Sequence, residues 1–288
     1  MDSFQPVNQP AVRAARYAGS WYPGSPADLR MSVSRYFASV TAQPLPARLK
    51  ALVCPHSGHM FGGQTAATAI AQARSMGFNR VVLLGPLHRP ISGNRIGDFM
   101  VPREGAYATP LGKIPVDVDF ITALSHLIPL TRVQNDNEHS IEIELPFLQL
   151  ALESFTLVPI LLGLDISAPT TPAALEALAT ALAHLADDGT LFVASTDLSH
   201  LDNYADVARI DQRMVELINA FDIPALTAAL AQGEVYACGA TGLVTALRAA
   251  QLLGATGARV LTCTNSGDIT GDRRPGNYTV GYMAAAAY

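Results

Sequence analysis

Short apolar runs alternate along the chain with longer alanine-rich segments. The apolar runs have the length of β-strands and lack alternating polar positions, which is typical of strands buried on both faces. The alanine-rich segments have the length of helices. We predict strands over Leu49–Cys54, Arg80–Leu84, Thr156–Leu162, Thr190–Ala194, Arg259–Cys263 and Tyr278–Met283. We predict helices over Gly63–Met76, Ile141–Leu152, Pro172–Ala186, Ala205–Ala220, Pro224–Ala231 and Gly239–Leu253.

This alternation favours the α/β class, with a three-layer α/β/α sandwich built on a central mostly parallel or mixed sheet. A two-stranded excursion is predicted over Arg95–Pro115, where turn-rich sequence separates two apolar runs. Residues 1–12, which contain Pro6 and Pro10, are expected to form an N-terminal arm. Because no repeat, linker or charge block divides the rest, residues 13–288 are predicted to be a single domain.

Composition narrows the class of protein. Charged residues make up 15% of the 288 residues and hydrophobic ones 49%, and mean hydropathy is +0.23. An average globular protein has about 25% charged residues, so a disordered or coiled-coil chain is excluded. The longest apolar stretches, Phe155–Leu164 and Val280–Tyr288, reach about half of the roughly 20 residues that a spanning helix needs. Part of the apolar surplus is expected at an interface between copies of the chain, as a homo-oligomer.

The cysteine content and the net charge indicate where the protein is located and what it is expected to bind. The N-terminus has no apolar core typical of a signal peptide, and three scattered cysteines do not make a disulfide framework, so we expect a cytoplasmic protein. The formal net charge is −5 and no basic stripe is present. Nucleic acid and membrane are therefore not expected as partners, which favours a small-molecule substrate or a peptide ligand.

Histidines follow three of the predicted strands directly. His56, His88 and His200 come after the runs ALVCP, VVLLGP and LFVASTDLS. Ligands of open α/β sheets bind beyond the carboxyl ends of the strands, and histidine is both the commonest metal ligand and the side chain that titrates nearest neutral pH. The pattern thus indicates a metal or acid–base site. The alternative is that each imidazole caps a helix or satisfies a buried carbonyl.

Other polar residues are candidates for the same pocket. Asp197 precedes His200 by three residues, where it could orient the imidazole or cap the next turn. His59 could be a second ligand, or equally a pocket-lining or exposed side chain. His139 and Glu142 open a predicted helix, where acidic residues are favoured for capping and dipole reasons, yet they also suit a polar pocket.

Cys238 stands immediately before a predicted helix. A helix N-terminus lowers the pKa of a thiol and favours the thiolate, which ligates metals. Cys54 and Cys263 fall in predicted strands and are expected to behave as small apolar residues. No CxxC, HExxH, Walker, GxGxxG or GxSxG signature is present, so the usual motifs of zinc proteases, nucleotide-binding proteins and serine hydrolases are missing.

Several motifs occur in one order along the chain. They are Ala18–Pro23, Pro55–Gly58, Gly85–His88, Asn137–Glu142, Thr196–His200 and Cys238–Gly239. In this order the chain resembles the Memo family, whose bacterial and archaeal members are called AmmeMemoRadiSam system protein B, from about residue 13 to the C-terminus. That family is similar in fold to the class III extradiol (LigB-type) dioxygenases.

The resemblance implies a site and a range of functions. His56, His88 and Cys238 match the family's metal-ligand positions, with iron or copper as the metal, and His200 and Asp197 match other pocket residues with a catalytic role. A metal-dependent, dioxygenase-like oxidoreductase is the first expectation. A non-catalytic module that binds a ligand or phosphopeptide in the same pocket is the second. A hydrolase or transferase with a different metal is the third. Extradiol enzymes have a carboxylate where this chain has a cysteine, which leaves the reaction open.

Overall fold

The computed structural model describes residues 11–41, 43–94 and 96–288. In chain order the strands in these ranges are β1 Val12–Arg13, β2 Ala51–Cys54, β3 Arg80–Pro86, β4 Phe99–Pro102, β5 Ala106–Thr109, β6 Gly112–Pro115, β7 Thr131–Val133, β8 Thr156–Leu162, β9 Thr190–Ser195, β10 His200–Leu201, β11 Ala258–Asn265 and β12 Thr279–Ala287. The α-helices are α1 Pro26–Ala38, α2 His59–Ile70, α3 Val118–Ser125, α4 Leu145–Ala151, α5 Thr171–Leu185, α6 Tyr204–Ala220, α7 Ile223–Ala231, α8 Ala240–Leu252 and α9 Ser266–Thr270.

A large mixed sheet lies at the centre, with strand order β10-β12-β2-β9-β3-β8-β4-β7 and β11 paired to β12. The strands β2, β9, β3 and β8 are mutually parallel, whereas β12 and β4 run antiparallel to their neighbours β2 and β8. Helices flank the sheet, with α8 against β3 and β9 and with α2 against β2 and β12. The predicted α/β class with a mostly parallel central sheet is confirmed.

Burial on both faces explains the sequence pattern of the central strands. All six residues of β9 are buried, as are all four of β2. A strand of this kind cannot carry the alternating polar residues of a half-exposed sheet, because each polar side chain would lose its hydration without a partner. The low charge content of the chain follows in part from these strands and from the alanine-rich helices that cover them.

Some predicted boundaries were wrong. The helix predicted over Ile141–Leu152 begins only at Leu145, since residues 140–144 form turns. The excursion predicted as two strands contains three, of which β4 joins the main sheet and β5 and β6 form a hairpin beside β1. Arg95, at the start of that excursion, and residues 1–10 of the predicted N-terminal arm lie outside the described residues.

The apolar stretches do not build a membrane helix. Along the parts of the chain that the structure describes, no helix has both the length and the apolar character needed to cross a bilayer.

The topology brings together the strand ends that carry the predicted site. Strands β2 and β3 both pair with β9, one on each side and in parallel, so that Cys54 lies beside Ser195 and Leu84 beside Ala194. The segments that leave these strands therefore emerge side by side at one edge of the sheet, which is where ligands of α/β proteins bind.

Candidate metal centre

His56 follows β2, and its imidazole is buried. Its neighbours determine which ring nitrogen carries the hydrogen. Its Nδ1 lies 2.7 Å from Ser195 Oγ, and the Ser195 hydroxyl donates its hydrogen to the Ser140 carbonyl at 2.5 Å. Because a hydroxyl has one hydrogen, Ser195 Oγ must accept from Nδ1. The lone pair of His56 is therefore on Nε2. Burial lowers the pKa of His56 to about 4, so the ring is neutral near pH 7.

His88 leaves β3 and is held by Glu138. Its Nδ1 lies 2.9 Å from Glu138 Oε1, and its backbone N–H donates to Glu138 Oε2 at 2.7 Å. Burial alone would raise the pKa of Glu138, but hydrogen bonds from His139 and His88 lower it well below its usual value. An ionised carboxylate only accepts, so Nδ1 of His88 donates and Nε2 is the ring nitrogen left to act as a metal ligand.

Cys238 lies just before α8 and contacts the His56 imidazole. Its Sγ lies 3.1 Å from His56 Nε2 and accepts the backbone N–H of Asp197 at 3.2 Å. The next residue, Gly239, is what permits the approach, because a Cβ there would lie 2.2 Å from the Ser195 carbonyl oxygen. Only glycine lets the start of α8 pack this closely on the end of β9.

The pKa predicted for this thiol was wrong in direction. Burial, and then the nearby Asp197 carboxylate, raise the pKa of Cys238 to about 12. These two effects outweigh the helix N-terminus, because removing a thiolate from water costs more than the helix dipole returns. Cys238 is therefore a neutral thiol until an electrophile or a cation displaces its proton.

His56, His88 and Cys238 form one group, in which each offers a ligand atom within 4.8 Å of the others. Nitrogen and sulfur ligands hold a metal ion at about 2.0–2.3 Å, which this spacing accommodates. Each imidazole has its other ring nitrogen bonded to an oxygen, which is the usual arrangement of metal-ligating histidines. The residues present thus fit a transition metal, and the structure brings together the three predicted ligands.

Comparison with known proteins shows the family to which the chain belongs. A family model described as Memo-like protein matches residues 13–286. The chain belongs to the Memo-like family. It is 31% identical over 287 residues to a MEMO1 family protein of Methanopyrus kandleri, covering 94% of this chain and 97% of the relative. It is 33% identical over 291 residues to one of Thermotoga sp. strain RQ2, covering 96% and 99%.

A solved structure supports the fold of this Memo-like chain. The crystal structure of an uncharacterized protein from Escherichia coli K12 superimposes with a TM-score of 0.53 at 16% sequence identity. The match covers 83% of this chain and 99% of the bacterial protein. At this identity the similarity concerns the arrangement of strands and helices alone.

Asp197, predicted as a catalytic group, is buried and contacts the backbone of two ligand residues in this Memo-like site. Its Oδ1 accepts the backbone N–H of His56 at 3.1 Å and its Oδ2 accepts the Ser57 hydroxyl. Its backbone carbonyl accepts the N–H of Cys238 at 3.1 Å. Asp197 therefore braces the backbone at two of the three ligand positions, and its predicted role in catalysis stays a prediction.

His200 lies apart from the ligand group. It is an exposed residue of β10, where Nδ1 pairs with the Leu198 carbonyl at 2.9 Å and the ring lies 6.1 Å from that of Tyr278. Among the described residues it joins neither cluster of metal-ligand atoms. The predicted acid–base role of His200 stays a prediction, now for a group at the surface.

His59 is a core residue at the start of α2. Its Nε2 donates to the Ile143 carbonyl at 3.0 Å, and its ring packs on those of Tyr22 and Phe147 at 5.2 and 4.7 Å. Burial lowers the pKa of His59 to about 4. Of the alternatives for His59, the exposed side chain is wrong, because the ring fills the contact between α2 and the segment before α4. Among the described residues His59 also joins no group of metal-ligand atoms.

His139 places a third imidazole beside the ligands. Its ring stacks on that of His88 at 4.5 Å, meets that of His56 at 5.2 Å and lies 4.5 Å from that of Trp21. His88, Glu138 and His139 also lie close enough to share an ion. However, Glu138 already accepts from three backbone N–H groups and the His88 ring. We therefore interpret this cluster as a hydrogen-bond network and not as a second metal site.

Arg13, Asp136 and Glu142 form a buried ion cluster that no motif or spacing in the sequence predicts. Glu142, predicted as a pocket residue, accepts the backbone N–H of Tyr17 at 2.8 Å, the Tyr22 hydroxyl at 2.6 Å and the Arg13 guanidinium. Arg13 also pairs with Asp136 at 2.9 Å, and the side chains of Arg13 and Glu142 are fully buried. Arginine is seldom buried unless paired, and pairs so distant in sequence could not be read from spacing.

This cluster fixes the N-terminal segment over the candidate metal centre. The segment carries Tyr17 and Trp21, whose rings pack at 5.3 Å on one another and at 5.7 and 4.5 Å on His139. The motif Ala18–Pro23 is thus a turn whose Trp21 ring packs on His139, the imidazole beside the ligands.

Proposed function

We propose that this Memo-like protein is a metal-dependent, dioxygenase-like oxidoreductase that uses a non-haem iron or copper ion. His56, His88 and Cys238 would hold the ion. The observation that supports this most strongly is that ligand atoms of two imidazoles and one cysteine lie within 4.8 Å of one another, with each imidazole oriented through its other ring nitrogen. Thiolate and imidazole donors suit iron or copper, whereas magnesium and calcium prefer oxygen ligands.

The chain itself contributes orientation and protection from water. Bound iron or copper would supply one-electron chemistry that no side chain provides. Ser195 and Glu138 hold the two imidazoles in one tautomer, while the rings of Trp21 and His139 cover one side of the group. Three protein ligands leave room for a further ligand, as in catalytic metal sites.

The test is oxygen consumption by the purified chain after loading with Fe(II) without air, or with copper. Metal content is measured first, and oxygen uptake is then followed with a reductant and with catechols as substrates. We expect uptake above that of free metal, and loss of both metal and uptake in His56→Ala. The matched control is His184→Ala, since His184 is an exposed histidine of α5.

Two outcomes would overturn parts of the proposal separately. If neither iron nor copper is retained in stoichiometric amount, or His56→Ala retains it equally, the metal centre is wrong. If metal is retained through these ligands but no oxygen is consumed, the oxidoreductase is wrong and a ligand-binding role takes its place.

A further inference from the structure

A cavity of about 610 Å³ opens beside the candidate metal centre. Its walls come from the turn around Trp21, the start of α2, the helix α9 and the beginning of β12. Two of its wall residues contact neighbours of the ligands, because the Trp21 ring packs on His139 and the Ser57 hydroxyl donates to Asp197. Pockets for small molecules measure about 300–1,000 Å³, so the volume suits a compound of one or two rings.

The mouth of this cavity gathers exposed apolar side chains. Trp21, Met60 and Tyr278 are 38%, 72% and 62% exposed and all line the cavity, with the Phe61 side chain beside them. Aromatic residues left in water at the rim of a concave site are typical of ligand-binding pockets, where flat ligands stack on them. The walls therefore favour an aromatic ring.

The charges around the cavity disfavour an anion. Among the described residues that line it, the one charged side chain is Asp272, whose carboxylate is bound by both ends of the Arg274 guanidinium at 2.8 and 2.6 Å. Burial, and then the carboxylates of Asp202 and Asp197, raise the pKa of Tyr278. The described residues that line the cavity thus include no cation, and phosphate recognition normally requires unpaired arginines.

Two hydroxyl groups of the wall already use their hydrogens and can only accept from a ligand. Ser20 already donates to the Tyr17 carbonyl at 3.0 Å, and Thr270 donates to the Ser266 carbonyl at 2.8 Å. A hydroxyl whose hydrogen is used can still accept through its lone pairs. A ligand that donates an O–H therefore finds acceptors at these two hydroxyls.

From these observations we propose that the cavity binds an uncharged aromatic compound carrying a hydroxyl donor, and discriminates against the phosphate ester of the same compound. This deepens the proposed function, on which it rests for the role of the cavity as the substrate site. Binding itself depends on the cavity walls and not on the metal, so it is testable in metal-free protein.

The experiment uses the chain's one tryptophan as a reporter. Protein labelled with 5-fluorotryptophan gives a single fluorine resonance, from Trp21 in the wall of the cavity. We would titrate the metal-free protein with 2-naphthol and with 2-naphthyl phosphate. We expect a saturable shift with 2-naphthol and binding of the phosphate weaker by about tenfold or more, which is a difference of about 1.4 kcal/mol.

Variants locate the binding in the cavity. Val280→Phe fills space in the wall and should weaken 2-naphthol binding by about tenfold or more, from the loss of buried ring area. Val118→Phe makes the same change at an exposed position of α3 and should leave binding unchanged. Met60→Lys adds a cation at an exposed position of the mouth, where it does not disturb folding, and should strengthen binding of the phosphate.

The proposal is overturned if the phosphate binds as tightly as 2-naphthol, if neither probe moves the resonance, or if the two phenylalanine variants weaken binding equally. Metal measurements keep this separate from the proposed function. Selective binding of 2-naphthol by a chain that retains no metal supports the cavity and contradicts the oxidoreductase. Metal retention without any probe binding supports the metal centre and contradicts the cavity proposal.

Discussion

Replacing Ser195 by alanine tests how the His56 ligand is held. Ser195 is fully buried and His56 nearly so, and the serine oxygen is the acceptor for His56 Nδ1 at 2.7 Å. Alanine leaves that N–H without a partner, which costs about 1–3 kcal/mol of unfolding free energy. If the proton moves to Nε2 instead, it occupies the lone pair that faces Cys238.

Either consequence weakens metal binding. Loss of the group that orients a metal-ligating histidine typically lowers metal affinity about 10–100-fold, or about 1.4–2.7 kcal/mol. The affinity would be measured by competition with a chromophoric chelator, and the unfolding free energy by urea titration of the metal-free protein.

A matched control separates this effect from a loss of stability. Ser199 is also fully buried, but its hydroxyl donates to the Asp211 carboxylate at 2.6 Å and not to a ligand. Ser199→Ala should destabilise the chain to a similar extent and leave metal affinity within about twofold. Equal loss of affinity in both variants, or none in Ser195→Ala, would refute the assignment of Ser195 to the ligand.

Three further predictions concern charge and protons. Burial raises the pKa of Asp211 to about 6, so the folded state binds this proton more tightly than the unfolded state, and stability falls as pH rises from about 4 to about 6. Asp211→Asn should therefore gain up to about 3 kcal/mol relative to the native chain between pH 4 and pH 7 in urea titrations, and a constant difference would contradict this. Glu142→Gln leaves the buried Arg13 with one carboxylate fewer and should cost about 3–5 kcal/mol in the same assay; a loss below about 1 kcal/mol would show that the pair is not needed. Metal binding near pH 7 should release the Cys238 proton, because burial raises that pKa to about 12, and calorimetry in buffers of different ionisation enthalpy would reveal it; no proton release would argue against thiolate ligation.

The positions of the two histidine ligands could be predicted because they depend on rules of sheet topology, whereas the ligand set with Cys238 was implied by the family resemblance. His56 and His88 directly follow apolar runs, and parallel neighbouring strands bring such positions to one edge. The same rule placed His200 in the site, yet Leu198 and Ser199 intervene and a short pairing with β12 carries His200 to the surface. Proximity to a strand end is therefore an incomplete guide once the chain turns.

Contacts between distant segments could not be predicted. Arg13 and Glu142 are separated by more than a hundred residues, and neither has a periodic or motif signal that joins them. The pKa of Cys238 likewise depends on how closely Gly239 lets α8 approach β9 and on the burial that results. Local sequence indicated the helix N-terminus but carried no information on the desolvation that outweighs it.

X-ray absorption of the metal-loaded chain tests the central claim most directly, since it counts the atoms around the ion. Binding through His56, His88 and Cys238 predicts imidazole nitrogens at about 2.0–2.1 Å together with a sulfur at about 2.3 Å. The sulfur signal should be absent in Cys238→Ser. A bound ion surrounded only by nitrogen and oxygen, or a sulfur signal that persists in Cys238→Ser, would contradict the account.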